Sequence, residues 1–323
     1  MSVLLHTLLQ KASYRLFLLI LSLVFASGGA VPPSDAAPIA VSDPDSVQMT
    51  FLALADPQIS NYLYKRYPIF EAASADIQRG KGVYDAVMIA GDIAENGFAS
   101  EYQLVCDHLS GLDCRYITAV GNHDVRLRSY SQVCKRFAEF TNALNGDDAM
   151  QSLHYAERVN GYQFLVLGTD RSEFEESYFS DAQLQWLDES LAAEGGKPVF
   201  VICHQPLKET HGLPQVWNSP IDSAGSVGAQ SDQLRAILGK YQNVFFITGH
   251  EHTGFGPFTY EEIDGFHSIN LPSLCCNNAD GDYNEDGQGC LVEVYADHVL
   301  FRARNLQQGI WLPDYDIDIP ITE

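Results

Sequence analysis

The chain of 323 residues is 46% hydrophobic and 11% aromatic, ample apolar material for a substantial core and thus for a globular protein of one large domain or two. Its 19 basic residues stand against 42 acidic ones. The net charge of -23 gives a soluble, self-repelling surface and excludes bulk binding of nucleic acid or anionic membranes.

Residues 1–30 have the shape of a secretory signal peptide. Lys11 and Arg15 precede an apolar core from Leu16 to Ala26, and Gly28, Gly29 and Ala30 are small residues suited to cleavage. That core is shorter than the roughly 20 residues a spanning helix needs, so no stable membrane span is expected after signal removal. The expected location is secreted or extracytoplasmic, with a membrane anchor formed by an uncleaved signal as the alternative. An oxidising compartment permits disulfides among Cys106, Cys114, Cys134, Cys203, Cys275, Cys276 and Cys290. The number is odd, so at least one thiol stays unpaired within a monomer, and Cys203, in an apolar strand, is the best candidate. Proximity suggests Cys106 with Cys114, and Cys290 with Cys275 or Cys276. Residues 31–47, rich in Pro, Ala, Ser and Asp, read as a flexible tether, and residues 48–323 as one catalytic domain.

Along that domain, buried strands are predicted at Met49–Ala55, Tyr84–Ala90, Tyr116–Val120, Pro198–Cys203 and Val244–Thr248. Helices are predicted from about Ile69 to Arg79, from Ser100 to Leu109 with a Ser100/Gln103 capping box, and from Tyr130 to Leu144. A further helix opens on a Ser180/Gln183 box and aligns Leu184, Leu187 and Leu191, and another runs from Ser231 to about Lys240. Leu153–Val159 and Tyr162–Leu167 form a hairpin through Asn160-Gly161. Phe258–Ile263, Phe266–Leu271, Gly289–Tyr295 and His298–Arg304 read as antiparallel strands. No internal repeat or linker interrupts the pattern, which points to a single α/β domain of two packed sheets. The long polar segment from Gln205 to Gln230 is of the kind that usually carries function, and it contains His211 and Trp217.

The chemistry is concentrated at strand ends. Successive buried strands deliver Asp56 and Gln58, then Asp92, then Asn122 and His123 in Gly121-Asn122-His123-Asp124, then His204, then His250 and His252. One aspartate in such a place is common in loops of any function, but five strand ends of this kind are not. Mixed nitrogen and oxygen ligands without thiolate suit Zn, Mn or Fe, and a bridging carboxylate permits two ions about 3.5 to 4 Å apart.

This order resembles that of the calcineurin-like metallophosphoesterase superfamily, whose pattern is D-x-H, G-D, G-N-H-D/E, a later H and G-H-x-H, over roughly Met49 to Arg304. The resemblance implies a sandwich of two mixed β-sheets flanked by helices, holding two divalent or trivalent ions (Mn, Fe or Zn). It implies that Asp56, Gln58 and His252 hold one metal, that Asp92 bridges, and that Asn122, His204 and His250 hold the second. His123 then acts as general acid or charge stabiliser, oriented by Asp124, while a metal-bridging hydroxide attacks phosphorus. Gln58 departs from the pattern, which more often has histidine there, and a glutamine carbonyl is the weaker ligand. The Gly91–Glu95 stretch lacks the tyrosine that purple acid phosphatases carry, so no purple centre is expected.

Two weaker signals remain. Arg126, two residues after Asp124, resembles the context of cyclic-nucleotide phosphodiesterase-like members and could reach a phosphate oxygen, or could be a solvated loop arginine. Asp282, Asn284, Asp286 and Glu293 have the spacing of a calcium loop without its flanking helices, so a structural Ca²⁺ site stands beside the plainer reading of an acidic hairpin loop. The expected function is an exported dinuclear phosphoester hydrolase acting on small-molecule or macromolecular phosphoesters, most simply a phosphodiesterase. The alternatives are a phosphomonoesterase acting on protein, nucleotide or sugar phosphates, and a surface binding protein with a vestigial metal site.

Overall fold

Alternation along the central strands builds the architecture. In β1 (Met49–Leu54), Met49, Phe51 and Ala53 belong to one apolar cluster, while Leu52 and Leu54 belong to another. Such a strand is covered on both faces. The computed structural model describes residues 36–62, 64–172 and 175–322, so the expected signal peptide and the first residues of the expected tether lie outside the described residues.

Two mixed sheets result. The first runs β12 (Ile310–Trp311), β11 (His298–Asn305), β10 (Gln288–Val294), β1, β2 (Ala86–Ile89), β3 (Arg115–Thr118), with β13 (Ile317–Pro320) also paired to β11. The second runs β4 (Tyr155–Val159), β5 (Tyr162–Val166), β6 (Val199–Ile202), β7 (Val244–Thr248), β9 (Phe266–Asn270), β8 (Tyr260–Ile263). Strands β1 to β3 are parallel to one another, as are β5, β6, β7 and β9. Between the sheets, Phe51 meets Phe164 and Phe200 edge-on, with ring centroids 5.2 and 4.9 Å away.

Helices cover the outer faces. Those at Arg66–Arg79 (α1), Ala99–Leu109 (α2) and Tyr130–Asn145 (α3) contribute Phe70, Ile77, Val105, Phe137 and Phe140 to the core outside the first sheet. The helices at Asp181–Ala193 (α4) and Ser231–Leu238 (α5) contribute Leu184, Leu187, Leu191, Leu234 and Leu238 outside the second. Ser180 caps α4 as its sequence predicts, its Oγ accepting from Gln183 N at 3.3 Å. The cap of α2 differs from expectation. The helix starts at Ala99, and Glu101, not Gln103, reaches back to the amides of Asn96 and Phe98 at 3.0 and 3.1 Å. A carboxylate at that position is a stronger acceptor than an amide. Asn160-Gly161 and Asp264-Gly265 join their hairpins, all four residues at positive φ (47°, 88°, 48° and 88°), as two-residue turns of this type require.

Three expectations need correcting. The four C-terminal strands form two antiparallel hairpins that enter different sheets, and β9 runs parallel to β7, because both its faces are buried, Phe266 outward and Ile269 between the sheets. The tether reading does not hold for residues 37–42, which are tied along the first sheet. Ala37 N donates to Gly309 O at 2.8 Å, the carbonyls of Ala37 and Ala40 accept from Arg304 and Arg302 at 2.7 Å each, and Ile39 is buried. All seven cysteines are thiols. Cys290 faces the core between the sheets whereas Cys275 packs on the helical side, and the Cys276 thiol is engaged with Gln58, so neither expected partner meets Cys290.

Arg304, 1% exposed, makes a paired contact with the equally buried Asp76 of α1 through Nε (2.7 Å) and Nη2 (2.9 Å). Removing one partner of such a pair strands the other charge. Asp76→Ala is expected to destabilise the fold by about 3–5 kcal/mol, and the exposed Asp297→Ala to leave the midpoint unchanged, in urea unfolding followed by circular dichroism.

Candidate metal centre

Five parallel strands, three from the first sheet and two from the second, end on the same side, and each is followed at once by the residues singled out above. The chain then has to swing those side chains across the strand ends. Asp56, Gln58, Asp92, His250 and His252 all do so from left-handed backbone, at φ of 51°, 45°, 49°, 76° and 51°. Non-glycine residues rarely adopt this region, and strain of roughly 1–3 kcal/mol at each position is characteristic of functional sites.

The side chains converge. His204 Nε2 lies 3.2 Å from Asp92 Oδ2, 3.1 Å from Asn122 Oδ1, 3.2 Å from His250 Nδ1 and 3.9 Å from Asp56 Oδ1. His252 Nε2 is 3.1 Å from Asp56 Oδ1. The Ala90 carbonyl, 2.8 Å from His204 Nδ1, accepts the Nδ1 proton and orients the ring so that Nε2 faces the cluster, the usual arrangement behind a metal-ligating histidine. Asp92 also accepts from the backbone of His123 at 2.8 Å.

Electrostatics mark the cluster as built for a cation. Asp56 and Asp92 are fully buried, and although burial opposes ionisation, His252 and His204 hold Asp56, and His204 holds Asp92, below the usual carboxylate range. Against the same burial, the two carboxylates hold His204 up at about 10. Burial, then the charge of His204, drives His250 the other way, and its Nε2 is buried with no hydrogen-bond partner. Asp92, His204 and His250 each offer a ligand atom within 4.8 Å of the other two. The donor set, the orphaned His250 nitrogen and two buried carboxylates with, among the described residues, no lysine or arginine paired to them all fit a metal ion of the imidazole- and carboxylate-binding kind.

Three glycines make room. A Cβ on Gly91 would stand 2.5 Å from His204 Nδ1 and one on Gly249 2.5 Å from Asp56 Oδ2, while one on Gly121 would overlap Asp92 Oδ1.

Several expected roles shift. Gln58 Oε1 faces Cys276 Sγ at 2.6 Å and its Nε2 donates to Asp92 at 3.3 Å, so coordination through the carbonyl requires a half-turn of the amide. Asp124 does not orient His123. Its carboxyl gathers the amides of Gly121, Ile93 and Ala94 and the Tyr102 hydroxyl at 2.9 to 3.2 Å, clamping two ligand loops together, and burial with the nearby Asp92 pushes it up to about 7. The ring of His123 is held by Glu95, whose carbonyl and carboxylate lie 3.1 and 3.4 Å from Nδ1. Arg126 is paired with Glu95 and Asn96 and lines a neighbouring cavity with Leu127, Arg128 and Ser172. His211 is buried between Phe258 O and Ser268 Oγ, both 2.7 Å away, and is a core histidine. Trp217 does reach the site, its ring centroid 4.9 Å from that of His250.

The calcium spacing is not supported by the fold. Glu293 is fully buried in β10 and accepts from Ser42 N at 3.0 Å, Tyr295 OH at 2.5 Å and Arg302 at 2.7 Å. It is therefore unable to close a loop around an ion with Asp282, Asn284 and Asp286. Asn284 is instead turned onto Gly281.

Glu95 and Glu251 were not readable as site residues, since each is one more carboxylate beside a motif. A cavity of about 310 Å³ opens over the cluster, lined by Gln58, Asp92, Asn122, His123, Glu175, Trp217, His250, Glu251 and His252.

Two substitutions test this geometry. Gly121→Ala is expected to displace the Asp92 carboxylate and weaken metal binding by about 10–100-fold with the fold retained, and Gln58→His to strengthen it. Equilibrium dialysis with elemental analysis, beside circular dichroism, gives both numbers.

The sequence pattern of the calcineurin-like phosphoesterases matches residues 49–254, more than half of the chain. Two curated relatives are a protein named "Probable glycerophosphodiester phosphodiesterase GpdQ" from Arcobacter nitrofigilis, 28% identical over 52% of this chain, and a glycerophosphodiester phosphodiesterase from Enterobacter lignolyticus, 29% identical over 74% of it. The matches span 56% of the first relative's own length and 83% of the second's. Among solved structures, a purple acid phosphatase from yellow lupin seeds shares the fold over 84% of this chain and 53% of its own, with a TM-score of 0.58 at 11% identity. The pattern, the order of its motifs and the convergence of those motifs on one cavity agree, and the chain belongs to the calcineurin-like phosphoesterase family.

Proposed function

We propose that this protein is an exported, dinuclear, metal-dependent phosphodiesterase. The observation that carries the reading is the convergence of five strand ends on one cavity, with His123 at its wall, its Nε2 4.0 Å from Asp92 Oδ2. Ions held by Asp56, Asp92, Asn122, His204, His250 and His252 supply Lewis acidity and bring the pKa of a water towards neutrality.

The protein's own groups do the rest. Asp92 stands between the two sets of residues, its Oδ2 3.2 Å from His204 Nε2 and 3.3 Å from Gln58 Nε2. His123 is the proton donor. Although burial works against its charged form, the hydrogen bond that its ring donates to Glu95 and the charge of Asp92 raise its pKa above the usual imidazole value, which favours the form able to deliver a proton to the departing alkoxide. Glu95 itself, despite burial, is held down at about 2 by His123 and Arg66, and so remains an ionised anchor for the ring.

Charge favours the diester. Among the described residues, the lining holds Glu175 and Glu251 and neither lysine nor arginine. A phosphomonoester dianion is ordinarily gripped by such cations, whereas a diester carries a single charge. The names of the two relatives point the same way. Export is part of the proposal on the strength of Lys11, Arg15 and the apolar run from Leu16 to Ala26.

The test combines metal content with turnover. Wild type is expected to hold about two ions per chain and to favour bis-p-nitrophenyl phosphate over p-nitrophenyl phosphate by at least about tenfold in kcat/KM. His123→Ala should lower kcat by about 10²–10⁴-fold with metal content unchanged, and Asp92→Asn should lose metal. A wild type with full metal content that prefers the monoester is a phosphomonoesterase, and one without metal or turnover is a binding protein.

A further inference from the structure

His250 turns one ring nitrogen to the cluster and the other away from it. Nδ1 lies 3.2 Å from His204 Nε2, and the backbone amide of the same residue donates to Asp56 Oδ2 at 3.0 Å, so the ring enters the cluster by Nδ1. Nε2 is buried and has no hydrogen-bond partner. A neutral imidazole carries one ring proton, and an ion bound at Nδ1 leaves that proton on Nε2. Such an ion therefore makes the far nitrogen a buried donor, and a buried donor without an acceptor costs about 1–3 kcal/mol.

Among the described residues, the carboxylate within 4.0 Å of that nitrogen is Oε2 of Glu175, and two atoms that close leave no room for a third between them. The Glu175 side chain is 41% exposed while the imidazole is buried, so a rotation of the carboxylate closes the remaining distance of roughly 1 Å to a hydrogen bond. The backbone beneath it is held in place. Glu175 has a φ of 74°, the left-handed region also used by Asp56, Gln58, Asp92, His250 and His252, and such strain persists only where the surroundings over-determine it. The surroundings here are Gln205, the buried residue after His204. Its Nε2 donates to Glu175 O at 2.7 Å, and its Oε1 accepts from Ser177 Oγ at 2.7 Å. The strand end that brings His204 into the cluster thus fixes, one residue later, the backbone of Glu175 at the wall of the same cavity.

We infer that Glu175 is a positioning residue for the metal centre, its carboxylate accepting the Nε2 proton of His250 when Nδ1 binds an ion. This rests on the metal-centre reading above. A carboxylate behind a ligating imidazole fixes the tautomer and the ring orientation and makes the ring a stronger ligand, and its loss costs about 10–100-fold in metal affinity.

The test is zinc binding by the full-length protein. Glu175→Ala is expected to lower the affinity for one bound zinc ion by about 10–100-fold in equilibrium dialysis, with far less effect on any other. Glu175→Gln, whose amide oxygen still accepts, should lose less. In protein carrying nitrogen-15 histidine, zinc should bring out a slowly exchanging Nε2 proton that is absent from metal-free wild type and from zinc-loaded Glu175→Ala. Circular dichroism of each metal-free variant reports the fold, and if Glu175→Ala does not fold, Glu175→Gln and the wild-type proton signal still decide. Unchanged zinc affinity in a folded Glu175→Ala, or an Nε2 proton that persists in it, overturns the inference while leaving the metal centre standing. Equal losses in Glu175→Ala and Glu175→Gln, with no such proton in wild type, make Glu175 a direct ligand and overturn it too. A wild type that binds no zinc or other divalent ion overturns the metal centre and the inference together.

Discussion

Two carboxylates held out of water beside the same imidazole set the terms for this protein. Asp56 and Asp92 are both buried, and His204 Nε2 stands 3.9 and 3.2 Å from them. Removing one such charge from water costs several kcal/mol even after relaxation, and two of like sign add their repulsion. Only a positive charge at the same point offsets this, partly through the histidines and more fully through a metal ion. The left-handed turns, the crowded glycines and the clamp at Asp124 all hold that unfavourable arrangement in place, at a cost borne by the apolar layers beneath.

Those layers explain how much was legible beforehand. Strands such as Val199–Ile202 and Val244–Thr248 are buried on both faces and read as unbroken apolar runs, and each terminates in its ligand within two residues. Where the run ends, the ligand is visible. Pairing was harder, because β9 carries the same apolar signature as any hairpin strand and only its second neighbour, β7, makes it parallel. The two-residue strand β12 went unseen, since it is too short for a period to register.

Side-chain roles were legible only where position dictates them. His123 and Asp124 are adjacent in sequence, yet the helical turn that starts at Asn122 sends them to different partners, one to Glu95 and the other to three backbone amides. Consecutive residues of a helical turn do not face each other, so adjacency was a poor guide. The calcium spacing failed for a related reason: a twelve-residue ligand pattern presupposes a loop, and here its last member is the partner of Thr50 in a seven-residue strand.

The candidate ligands are divided between the sheets. Asp56, Asp92 and Asn122 follow strands of the first, and His204, His250 and His252 follow strands of the second, with the Phe51, Phe164 and Phe200 rings packed between. An ion bound there would be a rivet across the sandwich, so its affinity and the cohesion of the two halves would be thermodynamically linked. By reciprocity, whatever loosens the aromatic seam far below the cavity weakens the ion's hold to the same degree that the ion tightens the seam. In this fold the packing of the core and the grip on an ion would be coupled, each readable from the other.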